Sequence, residues 1–123
     1  MIEFVHQRIA YATMLYMLVV GLWGLASYVR KSSLPPSYLG ALVLGEALVV
    51  VQALVGALLL GEGLAPGNPM HYLYGFTALI ALPLAYSYNQ GRTDRRALLI
   101  YAIVALFVFG AAVRATTTAF GGA

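Results

Sequence analysis

Four runs of about twenty mostly apolar residues, separated by breaks too short to hold a domain, leave this chain few ways to fold. Residues 9–29 are interrupted only by tyrosine, threonine and serine, and as a helix would cover about 30 Å, the thickness of a bilayer's hydrocarbon core. The run ends at Arg30 and Lys31, followed by Ser32-Ser33-Leu34-Pro35-Pro36, where proline stops one helix and opens the next. Residues 38–60 form the second run, with Glu46 and Gln52 inside it, and the glycines and prolines of GEGLAPGNPM break the helix after it. Residues 71–88 form the third, with a kink expected at Pro83. After the polar turn SYNQGRTDRR the fourth covers residues 97–115, and the closing AFGGA is expected to fray.

Composition turns these runs into membrane spans. The chain is 62% hydrophobic and 9% charged, against roughly one-quarter charged in soluble domains. The expectation is one domain, 1–123, an all-α integral membrane bundle with up-down-up-down topology, because short connections make sequential helices antiparallel. The first run follows Glu3 and is too long for a usual signal-peptide core, so it is read as a retained span. The net charge of +3 comes from basic residues at span ends and speaks to membrane lipid, not nucleic acid. There is no cysteine, which excludes disulfides, thiolate-held metals and thioether-linked haem. Arg30, Lys31, Arg92, Arg95 and Arg96 fall in the first and third connections, with Arg8 and Arg114 at the opposite ends. The positive-inside rule then puts both termini outside the cytoplasm, in a membrane expected to be a prokaryotic plasma membrane.

The chemistry concentrates at one end. His6 and His71, the only histidines, open the first and third spans and so share a depth on one side of the membrane. Imidazole is a common axial ligand of haem iron, and bundles hold cofactors between facing helices, so the pair is a candidate haem site; the alternative is two histidines hydrogen-bonded at headgroup level. Gly75 lies one turn past His71 and Ala10 one turn past His6, small residues where a flat macrocycle needs close approach. Arg8 and Arg114 suit haem propionates, or simply snorkel from helix ends. Glu3, one turn before His6, is either a first-turn carboxylate favoured by the helix dipole, or a proton acceptor, substrate-orienting group or partner for Arg8. Glu46, deep in the second span, is either protonated and bonded to a tyrosine or carbonyl, or a proton-transfer or quinone group. Gln52 and Gly56 read as a packing pair, and most of the nine tyrosines and Trp23 as interface anchors.

The opening E-F-V-H-Q-R-I-A, running straight into a span, resembles the glutamate-x-x-histidine start of a four-helix half of haem A synthase. V-V-V-Q-A-L-V-G-A-L is similar to that family's glutamine-glycine helix, and P-M-H-Y-L-Y-G-F to its histidine-led third helix. The resemblance implies His6 and His71 as iron ligands and Glu3 as the catalytic carboxylate. It also implies haem b as cofactor, or haem O and haem A as substrate and product, with a methyl group of haem O oxidised to formyl. Members usually carry two bundles, so a single one implies a homo-oligomer or a subunit of a larger respiratory or photosynthetic complex. Two features depart from the pattern: Gln7 stands between His6 and Arg8, and the cysteine pair of many members is missing. The other function the resemblance allows is a b-type electron carrier or accessory subunit.

Overall fold

A computed structural model describes residues 1–119; the rest of the AFGGA tail, and the fraying expected there, lie outside the described residues. Four α-helices follow in order: α1 (Ile2–Val29), α2 (Pro36–Gly61), α3 (Met70–Asn89) and α4 (Arg95–Ala119). They form an antiparallel bundle, and α1, α2 and α4 are each long and apolar enough to cross a membrane. The chain is an all-α membrane-embedded bundle. The 20-residue α3 carries His71, Tyr72, Tyr74, Tyr86, Tyr88 and Asn89 at its two ends.

The helices overrun the apolar runs at both ends of the chain. α1 starts at Ile2, ahead of the apolar run that opens at residue 9, because residues 2–20 contain no glycine or proline and Glu3 sits favourably in its first turn, as its spacing from His6 implied. His6 is therefore inside a helix and held by its backbone. α4 runs on to Ala119, its threonines satisfied locally: Thr116 donates to the Ala112 carbonyl, and Thr117 and Thr118 both donate to that of Arg114. α2 opens on Pro36, whose missing N–H costs nothing in a first turn. α3 passes through Pro83 as one continuous helix.

Small residues set how closely the helices pack, as they must where lipid supplies no hydrophobic drive between them. α4 packs most extensively on α1 and α3, α2 packs on α1, and the seam between α2 and α3 is the thinnest. On α1 the buried stripe is Thr13, Met17, Val20, Gly21, Gly24 and Ser27. A β-carbon at Gly24 would lie 2.7 Å from that of Ala102 and 3.0 Å from Cζ of Tyr38; one at Gly21 would lie 2.5 Å from Leu106 Cδ2. Two tyrosines bolt α1 to α2 reciprocally. Tyr16 donates to the Ala41 carbonyl at 2.6 Å, and fully buried Tyr38 donates to the Val20 carbonyl at 2.9 Å. Trp23 packs edge-on to Tyr38 at 4.9 Å.

Both ends of the bundle are tied. At the first and third connections, Arg95 donates from Nε and Nη2 to the Tyr28 carbonyl at 3.0 and 2.8 Å and stacks over the Tyr28 ring, capping α1. The Leu34 N–H donates to the Thr93 carbonyl. At the other end, the N–H groups of Gly67 and Asn68 donate to the carbonyls of Ala119 and Thr118, strapping the α2–α3 connection to the end of α4. Gly63, at φ +81°, makes the turn out of α2 that this path needs.

The glycine seam gives a stability prediction. Gly24→Ala is expected to destabilise the bundle by about 1–3 kcal/mol through overpacking against Ala102 and Tyr38. Gly40→Ala, where an added β-carbon meets nothing within 4 Å, is expected to be neutral or mildly stabilising. Thermal unfolding of the two variants in the same detergent measures this; equal midpoints would contradict it.

Candidate functional site

His6 and His71 come from α1 and α3, which lie diagonally across the bundle, each separated from the other by α2 and α4. Their rings meet in the interior with centroids 6.3 Å apart and planes inclined at 64°. Antiparallel packing brings the two starts together, as the shared depth of the histidines required.

Each ring is held by the helix on its other side. Nδ1 of His71 lies 2.7 Å from the Ala115 carbonyl oxygen on α4. A carbonyl only accepts, so Nδ1 carries a proton and donates it, which leaves Nε2 as the nitrogen that can offer a lone pair to a ligand. This orientation of imidazole by a backbone carbonyl is the arrangement found behind metal-ligating histidines. His6 lies against α2, where a β-carbon built at Gly56 would stand 3.2 Å from its Cε1. Glycine at 56 is what lets the ring lie there. His6 Nδ1 is buried and has no hydrogen-bond partner among the described residues, and the same holds for Oε1 of Gln52, one turn before Gly56.

The other candidate residues fall into three groups. Arg114 is half-buried at this end, its guanidinium 5.5 Å from the Tyr74 ring centre, one turn along α3 from His71. Gly75 borders open space: a β-carbon there would meet nothing within 4 Å. Glu3 and Arg8 are exposed, and Arg8 stacks over the Phe4 ring at 4.8 Å. Glu3 thus shares a helical flank with His6 without sharing its half-buried setting. Deeper in the bundle, the Oε1 of Glu46 is buried with no partner among the described residues; Tyr16 and Tyr38 donate to carbonyls instead.

No group of three or more His, Cys, Asp or Glu side chains is placed to hold a metal ion among the described residues. The donor set is two imidazoles, which suits a metal whose other positions are filled by a macrocycle. Gly56 and Ala115 were not singled out as site residues by their sequence. The Gln52–Gly56 spacing was the available signal, and the packing it indicated turns out to be against His6.

The chain matches no protein-family model, no curated protein and no solved structure.

The hydrogen bond from His71 to Ala115 predicts a tautomer. In cofactor-free protein at alkaline pH, nitrogen-15 spectra of labelled histidine are expected to show one ring, His71, protonated at Nδ1. An Nε2-protonated ring at His71, assigned through the His6→Ala variant, would contradict the orientation described.

Proposed function

We propose that the chain binds a b-type haem within the bundle, with His6 and His71 as axial ligands, and serves as an electron-transfer protein of the membrane. The observation that carries this reading is the separation of the two rings. Bonds from imidazole nitrogen to a metal are about 2 Å, so rings on opposite sides of one metal have centroids about 6 Å apart; the separation here is 6.3 Å. The Ala115 carbonyl supports it by directing the lone pair of His71 at Nε2. Gly75, one turn past His71, supports it only in presenting no side chain against a flat ring: a β-carbon there would meet nothing within 4 Å. When bound, the haem supplies a one-electron couple. The protein's part is to hold the rings, keep water away with apolar spans, and offer a guanidinium: Arg114, half-buried at the same end, is suited to a propionate.

The resemblance to half of a haem A synthase supports a second reading, oxidation of haem O, in which Glu3 would manage protons beside the macrocycle. Glu3 is exposed, whereas a carboxylate working at the ring would be expected to share the interior with the histidines. That difference favours the carrier. In either reading the partner is a second copy or another subunit of a membrane complex. The basic first and third connections support an orientation with the termini, and with them the haem, on the extracytoplasmic side.

Expression under haem-replete conditions tests these proposals together. The wild type is expected to purify with a Soret band, and His6→Ala and His71→Ala each to lose most of their haem; unchanged haem content in both would overturn the ligand assignment. Glu3→Gln is expected to keep its haem, and coexpression with a haem O synthase to yield no haem A even from wild type. Haem A made by the wild type and lost in Glu3→Gln would establish the enzyme reading instead. A reporter fused at Ala123 and active only in the cytoplasm would reverse the orientation.

A further inference from the structure

The end of the bundle away from the histidines carries a different kind of site. Arg30, Lys31, Arg92, Arg95 and Arg96 gather there with one acid, Asp94, whereas the opposite end pairs Arg8 and Arg114 with Glu3 and Glu62. Not all of that positive charge is open to a ligand. Arg95 is committed to the Tyr28 carbonyl and ring. Asp94 is partly committed too, its Oδ1 accepting from the Ala97 N–H as a cap on α4.

What remains is built around Tyr88. Arg92 donates from Nε to the Asn89 carbonyl at 3.1 Å and from Nη2 to the Tyr88 carbonyl at 3.4 Å. Arg96 donates from Nη2 to the Tyr88 hydroxyl at 3.2 Å. These bonds hold two guanidinium groups on either side of one tyrosine while leaving further N–H groups on each without a protein partner among the described residues. Between them is a small cavity of about 50 Å³, whose lining includes Tyr88, Arg92, Asp94 and Arg96 and, on its apolar side, Ala97 and Ile100. It has room for one or two oxygen atoms and not for a whole molecule. The first turn of α4 adds its N-terminal dipole, which favours an anion.

We propose that Arg92, Arg96 and the start of α4 form a binding site for the phosphate of an anionic membrane phospholipid. Guanidinium pairs with phosphate oxygens through parallel hydrogen bonds, and a cavity of this size admits the oxygens while the rest of the headgroup stays outside. A lipid fits better than a soluble phosphate because the site lies at the end of the membrane-spanning α4, beside the end of α3. The same two helices expose Leu84 on α3 and Ile103 and Phe107 on α4, apolar surface for acyl chains to follow. The lipid must carry net negative charge, because a zwitterionic headgroup brings its own cation to a surface already rich in arginine. This site is independent of the haem reading.

Native mass spectrometry of the protein released from detergent, titrated with phosphatidylglycerol or phosphatidylcholine, tests the proposal. Wild type is expected to retain one phosphatidylglycerol in preference to phosphatidylcholine. Arg92→Gln with Arg96→Gln is expected to weaken phosphatidylglycerol binding by about 30-fold, the scale of two basic contacts at an anionic surface. Arg30→Gln with Lys31→Gln removes the same charge from the same end but no group that lines the cavity, and is expected to leave binding within about twofold of wild type. If the glutamine pair does not fold, Arg96→Gln alone carries the test, with a fall of about fivefold. Equal losses in both pairs, equal retention of the two lipids, or displacement of the lipid by millimolar inorganic phosphate would each overturn the proposal; the last would mark a site for a free anion.

Discussion

In a bilayer, a polar group that finds no partner within the protein finds none at all, and this constraint organises the bundle more than any single apolar contact. It explains why Tyr16 and Tyr38 reach across to carbonyls of the neighbouring helix, each using the spare lone pair of a group already bonded in its own helix. It also explains why Thr13, Thr77 and Thr116 turn back on carbonyls one turn earlier. The two tyrosine bonds are specific where apolar packing is not. They fix the rotation of α2 against α1, and with it the face that carries Gly56 towards His6.

The same constraint makes the exceptions informative. Nδ1 of His6, Oε1 of Gln52 and Oε1 of Glu46 are buried without a partner among the described residues, and all three belong to α1 and α2. On the other side of the site His71 is fully directed by Ala115. The histidine pair is therefore asymmetric: one ring is set by a hydrogen bond to α4, the other by the shape of α2. The two supports would fail differently, since a bulkier residue at 56 displaces a ring by contact while any residue at 115 still offers a carbonyl.

Much of this was legible in the sequence, for reasons that differ by element. Span length and the proline and glycine breaks located all four helices, and short connections fixed their antiparallel order, because both follow from bilayer thickness and chain reach. The meeting of His6 with His71 was legible because two helices that start on the same side must bring their first turns to one level. Helix rotation was not legible. Glu3 and His6 differ by about 60° around the axis, which is enough at the edge of a buried stripe to separate an exposed carboxylate from a half-buried imidazole. Gly56 looked like any small residue in a packing stripe until the rotation of α2 placed it under His6. Ala115 could not be read at all, because its contribution is a backbone carbonyl that every residue possesses.

The proposed haem site stands or falls on whether His6 and His71 share one iron. The most direct measurement is the electron paramagnetic resonance spectrum of the ferric protein purified with its haem, which reports spin state and axial ligation without any substitution. Shared ligation predicts a low-spin signal of bis-imidazole type from a single haem per chain. A high-spin signal, or a low-spin one with a different axial pair, would contradict it.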